Sequence, residues 1–223
     1  MKVCTDSCLF GAWLNRWISA HNPPPEYALD IGTGTGLLSM MMAQRNAQLK
    51  IDAIEIEENA FRQASDNIDV SIFKHQIQTH HSSLQCFQNV RKYDLIFSNP
   101  PFFENDLKSI DLQKNLAKHE DTLTLAELIK FIQLNLSITG SAAILIPFHR
   151  THYLIDTIKR TGFFIEEIVH VKQTTKHDFF RSMLFFSRNV DAKANSKEMT
   201  IKDEENKYTE AFIELLQPFY LNI

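Results

Sequence analysis

Apolar side chains recur along this chain with two different periods, and the alternation between them predicts its architecture. Leu9, Phe10, Trp13, Leu14, Trp17 and Ile18 fall at helical spacing, so they share one face of a helix. Asp6 or Ser7 supplies a cap for it, and Pro23-Pro24-Pro25 bars its continuation. Short β-prone runs predict strands over 27–31, 51–56, 75–81, 93–98 and 141–147. Between and after them, helical spacing predicts helices over 37–45, 57–68, 123–136 and 149–161, the second with acids in its first turn where the dipole favours them. Residues 163–172 and 181–188 are both apolar and β-prone, which predicts an antiparallel pair. Residues 191–197 read as a polar turn and 198–203 as a short edge strand. Tyr208, Phe212, Leu215, Leu216 and Phe219 share one face of a closing helix over about 207–220. Residues 103–122 are polar and mixed in charge without a clear period, the pattern of a long loop.

Strands alternating with helices predict an α/β fold: a Rossmann-like doubly wound sheet of about seven strands, mostly parallel, with an antiparallel C-terminal hairpin. A chain of 223 residues fits one such domain over 1–223. Composition narrows the function classes. No apolar run approaches the roughly 20 residues that span a bilayer, and the start lacks the apolar core of a secretory signal. Three cysteines, an odd number, argue against a disulfide framework and for a reducing, cytoplasmic setting. The net charge of −4 gives no global attraction to nucleic acid, so RNA binding needs a local basic patch.

Ligands of doubly wound sheets sit beyond the carboxyl ends of the strands, and two motifs fall there. The first is Asp30-Ile31-Gly32-Thr33-Gly34-Thr35-Gly36, directly after the first strand. Its glycines let the backbone approach a ligand and turn into the next helix. The nicotinamide fingerprint G-x-G-x-x-G is not met, because the sixth position from Gly32 is Leu37, and no Gly-Lys-Ser/Thr follows to make a P-loop. The pattern D-x-G-x-G-x-G resembles the first motif of Rossmann-like S-adenosylmethionine methyltransferases. That resemblance implies cofactor contacts from Asp30, Gly32, Thr33, Gly34 and Gly36. It also implies an acid at the end of the second strand for the ribose hydroxyls, a place Glu55 fills, with Ile56 packing on the adenine. Such enzymes often carry a further acid after the third strand for the adenine amino group. Here that stretch reads His81-Ser82-Ser83-Leu84, so Ser83, a weaker acceptor, stands in its place.

The second motif, Ser98-Asn99-Pro100-Pro101-Phe102, follows the strand over 93–98. Proline has no N–H, so Pro100 and Pro101 offer only carbonyl acceptors. With the Asn99 amide oxygen they form an acceptor cluster beside an aromatic ring, suited to an amino group on a flat ring. Hydrogen bonds from that amine to Asn99 and Pro100 localise its lone pair for attack on a sulfonium methyl. Phe102 stacks on the base, with Pro101 and Phe103 beside it as further substrate contacts. This chemistry does not choose among adenine N6, cytosine N4, guanine N2 and a glutamine side-chain amide. Lys172, Lys176, His177 and Arg181, interleaved with Phe179 and Phe180, form the best basic stretch. It reads either as an RNA grip or as a solvated hairpin with its aromatics in the core. Cys4 and Cys8 have no second ligand pair for zinc, and His75, His80 and His81 lack partners, so no metal is expected.

Taken with Met1-Lys2-Val3, Thr5-Asp6, Gly11-Ala12-Trp13, Ala117-Lys118-His119-Glu120, Tyr208-Thr209-Glu210-Ala211-Phe212 and Phe219-Tyr220-Leu221, these motifs make the chain resemble the bacterial tRNA(Val) adenine-N6 methyltransferase family nearly throughout. The resemblance implies methylation of adenosine 37 beside the anticodon, with S-adenosylmethionine as cofactor and tRNA as partner. It implies Thr5 and Asp6 near the methionine end of the cofactor and His119 as an RNA contact. Cys4 and Ser7 stand where the family commonly has glycine. The family also carries a basic and aromatic stretch ahead of this point, so part of an RNA or cofactor lid is expected to be lacking. A protein glutamine-N5 or rRNA guanine-N2 methyltransferase shares the same catalytic turn, and a non-catalytic RNA-binding module is the reading from another class.

Overall fold

The structure is a computed structural model that describes residues 4–20, 22–88, 91–100 and 123–220. Among the described residues, eight strands form one sheet in the order β3-β2-β1-β4-β5-β7-β6-β8. They are β1 (Tyr27–Ile31), β2 (Lys50–Glu55), β3 (Ile77–His81), β4 (Tyr93–Ser98), β5 (Leu136–Pro147), β6 (Phe164–Thr174), β7 (Phe179–Ser187) and β8 (Asn195–Lys202). Only β7 runs against the others: it pairs antiparallel with both β5 and β6, while β8 pairs parallel with β6. The expected hairpin of β6 and β7 is therefore present, but β7 is inserted between β5 and β6.

Helices cover both faces. On one lie α1 (Thr5–Ser19), α2 (Leu37–Arg45) and the C-terminal α6 (Glu210–Leu216), whose apolar sides share a core with Phe97, Leu145 and Phe185. On the other lie α4 (Leu125–Asn135) and α5 (Thr151–Arg160), packed on Ile96, Ile144 and Phe186. A further helix, α3 (Glu58–Asp69), follows β2 and sends Ile68 into the first core. Leu9, Phe10 and Leu14 of α1 are wholly buried, each worth about 1.5–3 kcal/mol. Glu167 of β6 pins α1 further: it accepts from Trp13 Nε1 at 2.8 Å and Trp17 Nε1 at 3.2 Å, and pairs with Lys197 of β8 at 2.5 Å. Burial works to raise the Glu167 carboxyl, but the Lys197 ammonium and the two indoles overcome it and hold it below the usual range.

Local chemistry explains where the elements begin and end, including where they depart from expectation. The cap of α1 is Cys4, which makes no side-chain capping hydrogen bond, rather than Asp6 or Ser7. Asp6 sits in the first helical turn instead. Glu57 is not the first residue of α3 but its cap, accepting from the Asn59 and Ala60 amides. Thr124 and Glu127 form a reciprocal capping box that starts α4. β5 begins at Leu136, five residues before the predicted strand, and reaches its register with β4 through a bulge. A Cβ on Gly140 in that bulge would stand 2.9 Å from the Tyr93 carbonyl, so only glycine fits without a shift. β8 takes in Asn195, Ser196 and Lys197, expected as turn. Thr209 caps α6 by accepting from Phe212 N–H, and the helix ends at Leu216, two residues short of Pro218.

Candidate functional site

The parallel register brings the carboxyl ends of β1, β2, β3 and β4 level. Ile31 lies beside Ile54 and Ser98, and Glu55 beside His81. Ser98 Oγ donates to the Ile31 carbonyl at 2.7 Å, which holds the exit of β4 against the glycine turn. Beyond these ends opens a cavity of about 540 Å³. Its wall is made by the glycine turn, Glu55 and Ile56, Ser82, Leu84 and Gln85, Asp6 and Ser7, Asn99 and Pro100, and Arg181.

Gly32, Gly34 and Gly36 have φ of 72°, 60° and 82°, a region that L side chains rarely adopt. This lets the Gly32 and Thr33 amides both donate to the Ile54 carbonyl, at 2.9 and 3.0 Å. It also aims the Gly34 amide at Glu55 Oε2, at 2.8 Å. Glu55 Oε1 accepts from the amides of Ile56 and Glu57 at 2.9 and 3.0 Å. Three of the roughly four lone-pair positions of this buried carboxylate are thus taken by backbone, which fixes its plane and leaves one acceptor position. Beside it Ile56 is 53% exposed, an apolar side chain on the cavity wall.

Asp30 lies under the turn with no exposed surface. Thr33 Oγ1 and Ser39 Oγ both donate to its Oδ2 at 2.7 Å, whereas Oδ1 is buried with no hydrogen-bond partner among the described residues. Burial pushes the Asp30 carboxyl up to about 6, against the two hydroxyl bonds and with help from the nearby Glu55 charge. A buried, unpartnered carboxylate oxygen beneath the cavity is an acceptor in want of a donor.

Across the cavity, Asn99 is half-buried and Pro100 buried. Asn99 Nδ2 donates to Ser7 Oγ at 2.8 Å. Asp6 takes the Ser7 amide on Oδ1 at 3.0 Å and Arg181 Nε on Oδ2 at 2.8 Å. Arg181 faces Pro147 across the β5–β7 ladder, so the start of β7 belongs to the same end of the sheet.

The sequence-derived candidates are thus partly brought together. Gly32, Thr33, Gly34, Glu55, Ile56, Asn99, Pro100 and Arg181 line one cavity, with Asp30 and Gly36 in its supporting turn. Thr5 is exposed and off the wall, its place taken by Cys4, Asp6 and Ser7. Ser83 also stands back: its Oγ accepts from the Cys86 amide at 3.2 Å, while Ser82, Leu84 and Gln85 face the cavity. Lys176 is exposed in the β6–β7 turn. Nearby, Phe179 packs with Phe148 and His170 at centroid distances of 5.0 and 5.3 Å, under Lys172 at 4.2 Å. Pro101, Phe102, Phe103 and His119 lie outside the described residues. Sequence reasoning missed Ser39 as a partner of Asp30 and Ser7 as a partner of Asn99. The first had a faint signal, a hydroxyl in the first turn of α2; the second had none, because 92 residues separate the pair. The clustered histidines find ordinary partners: His80 meets Asp52 at 2.8 Å, and His81 stacks on Phe61. Among the described residues no group of three or more His, Cys, Asp or Glu is placed to hold a metal ion, and no helix is long and apolar enough to cross a membrane.

Residues 18–125 match the family model described as the methyltransferase small domain. The chain is 38% identical over 224 residues to the tRNA1(Val) (adenine(37)-N6)-methyltransferase of Pseudoalteromonas translucida, covering all of this chain and 93% of that protein. It is 37% identical to the protein of the same name from Flavobacterium johnsoniae, again covering all of this chain and 94% of the relative. Among solved structures, that of a predicted O-methyltransferase from Agrobacterium tumefaciens superposes with a TM-score of 0.72 over 95% of each chain at 12% identity, which is a likeness of fold.

Proposed function

Because this chain belongs to the tRNA1(Val) (adenine(37)-N6)-methyltransferase family, we propose that it methylates N6 of adenosine 37 in tRNA(Val), working in the cytoplasm as one domain over 1–223. The observation that carries the reading is the shared cavity: Asn99 and Pro100 face the glycine turn and Glu55 across it. The donor set fits S-adenosylmethionine. Glu55 keeps one acceptor position for a ribose hydroxyl, and Ile56 and Leu84 offer apolar surface to a purine ring. When bound, the cofactor supplies an electrophilic methyl group on a sulfonium.

The chain's own residues supply orientation and electrostatics. The exocyclic amine of adenine is a poor nucleophile, because its lone pair is delocalised into the ring. The Asn99 amide oxygen and the Pro100 carbonyl accept its two N–H groups, which favours a pyramidal, partly cationic nitrogen with its lone pair directed away from the ring. Pro100 biases Asn99 to an extended backbone, and the Ser98–Ile31 bond holds the strand end that carries it. Phe102, by its place in the motif, stacks on the extruded base, worth about 1–3 kcal/mol. The proton of the resulting ammonium is acidic enough to pass to water, so no side-chain base is required. Lys176, exposed in the β6–β7 turn, and Arg181, on the cavity wall, are assigned to the RNA backbone.

Methyl transfer from labelled cofactor to total tRNA tests this. Label recovered as N6-methyladenosine at position 37 supports the proposal. Label recovered in guanine N2 of rRNA or in a protein glutamine overturns the substrate, and tRNA binding without transfer overturns the enzyme.

A further inference from the structure

We propose that Ser7 is a positioning residue for Asn99, holding its amide nitrogen so that the amide oxygen is presented to the target amine. The inference deepens the function proposed above and rests on Asn99 being the acceptor for that amine. An asparagine amide has a donor end and an acceptor end of nearly equal size, and its terminal torsion is broad. The fixed backbone at Ser98 and Pro100 therefore does not decide which end faces a ligand. With NH2 toward the target amine, donor would meet donor. With oxygen toward it, the NH2 group turns back into the protein and needs an acceptor there, because a base entering the cavity expels the water that would otherwise serve. Ser7 Oγ is that acceptor, 2.8 Å from Asn99 Nδ2. A hydroxyl can also donate, so it is the target amine that selects the orientation, and Ser7 supplies the acceptor that the inward-turned NH2 group then needs. A donated N–H also polarises the amide and makes its oxygen a better acceptor.

The placement of Ser7 is itself secured from outside the helix. The α1 cap, Cys4, makes no side-chain capping hydrogen bond. The first turn is tied down instead by Asp6, which holds the Ser7 amide on one oxygen and Arg181 of β7 on the other. Arg181, Asp6, Ser7 and Asn99 form a continuous chain of hydrogen bonds along the cavity wall, linking β7 and α1 to the exit of β4.

The test is single-turnover methyl transfer by the full chain, with cofactor affinity measured by calorimetry and folding by thermal melting. Ser7→Ala is expected to lower the rate roughly three- to tenfold, the size of one neutral hydrogen bond. Cofactor affinity should stay within about twofold and the melting temperature should hold. Ser7→Thr, which keeps the hydroxyl, is expected to recover most of the rate. In an Asn99→Ala background, Ser7→Ala is expected to cost nothing further, since it acts only through that amide. A wild-type rate for Ser7→Ala beside a crippled Asn99→Ala overturns the role of Ser7 and leaves that of Asn99 standing, and so do losses that multiply in the double variant. A wild-type rate for Asn99→Ala itself overturns the acceptor assignment on which both depend.

Discussion

Asp30→Asn isolates the cost of keeping a carboxylate beneath the glycine turn. The wild-type group is wholly buried, its Oδ2 accepts from Thr33 and Ser39, and its Oδ1 has no partner among the described residues. Its carboxyl is raised from the ordinary 3.8 to about 6, first by burial. That rise corresponds to about 3 kcal/mol of preference for the neutral form in the folded state. Since the folded value is the higher one, between pH 3.8 and about 6 the folded protein holds a proton that the unfolded chain has released. Stability therefore falls as pH rises through this window and is level above it. The amide in the variant does not titrate. Its oxygen goes on accepting from both hydroxyls, but its NH2 lands where Oδ1 lies, leaving donors unpaired at a cost of about 1–3 kcal/mol. The absolute change at pH 7 is thus a difference of two similar terms, and the pH slope is the informative quantity. In urea unfolding followed by tryptophan fluorescence, wild type minus variant should fall by about 3 kcal/mol from pH 3.5 to pH 7.5. A difference that stays constant across the range in the absence of cofactor would refute the assignment of an unassisted buried carboxylate.

Glu55→Gln replaces an oxygen that faces backbone N–H groups with a second donor, so it should weaken cofactor binding about 10- to 100-fold by calorimetry; unchanged affinity would detach Glu55 from the site. Gly36→Ala places a Cβ at φ +82° and 3.2 Å from Ile68 Cδ1, and chemical denaturation should show a loss of about 1–2 kcal/mol; a neutral result would mean that the turn relaxes freely. Lys176→Ala should weaken tRNA binding at all sequences alike and reduce the slope of log affinity against log salt by about 1, and an unchanged slope would remove this lysine from the RNA surface.

Most of the elements were legible in the chain because each is a local matter. Helical spacing in α1 and α2, short apolar runs in β1 and β4, and the glycines after β1 are set by neighbouring residues and by allowed backbone angles. The two site motifs were legible for the same reason: each is a turn at one strand end. Boundaries that hang on distant partners were not. β5 starts early because Leu136 pairs with Tyr93 and Gly140 lets a bulge close beneath its carbonyl. Asn195 joins a strand because β6 lies beside it.

Residue order alone specified the alternation of strands and helices, the glycine turn after β1 and the acceptor-rich turn after β4, and through its relatives the family. The tertiary structure decided what these parts meet. Strand order set β7 between β5 and β6, brought Arg181 to Asp6 across 175 residues, turned Ser7 to Asn99 and left Thr5 and Ser83 off the cavity wall. The physical reason is that local propensity acts over a few residues, whereas a hydrogen bond between side chains acts through space and exists only after the whole sheet has set the distance.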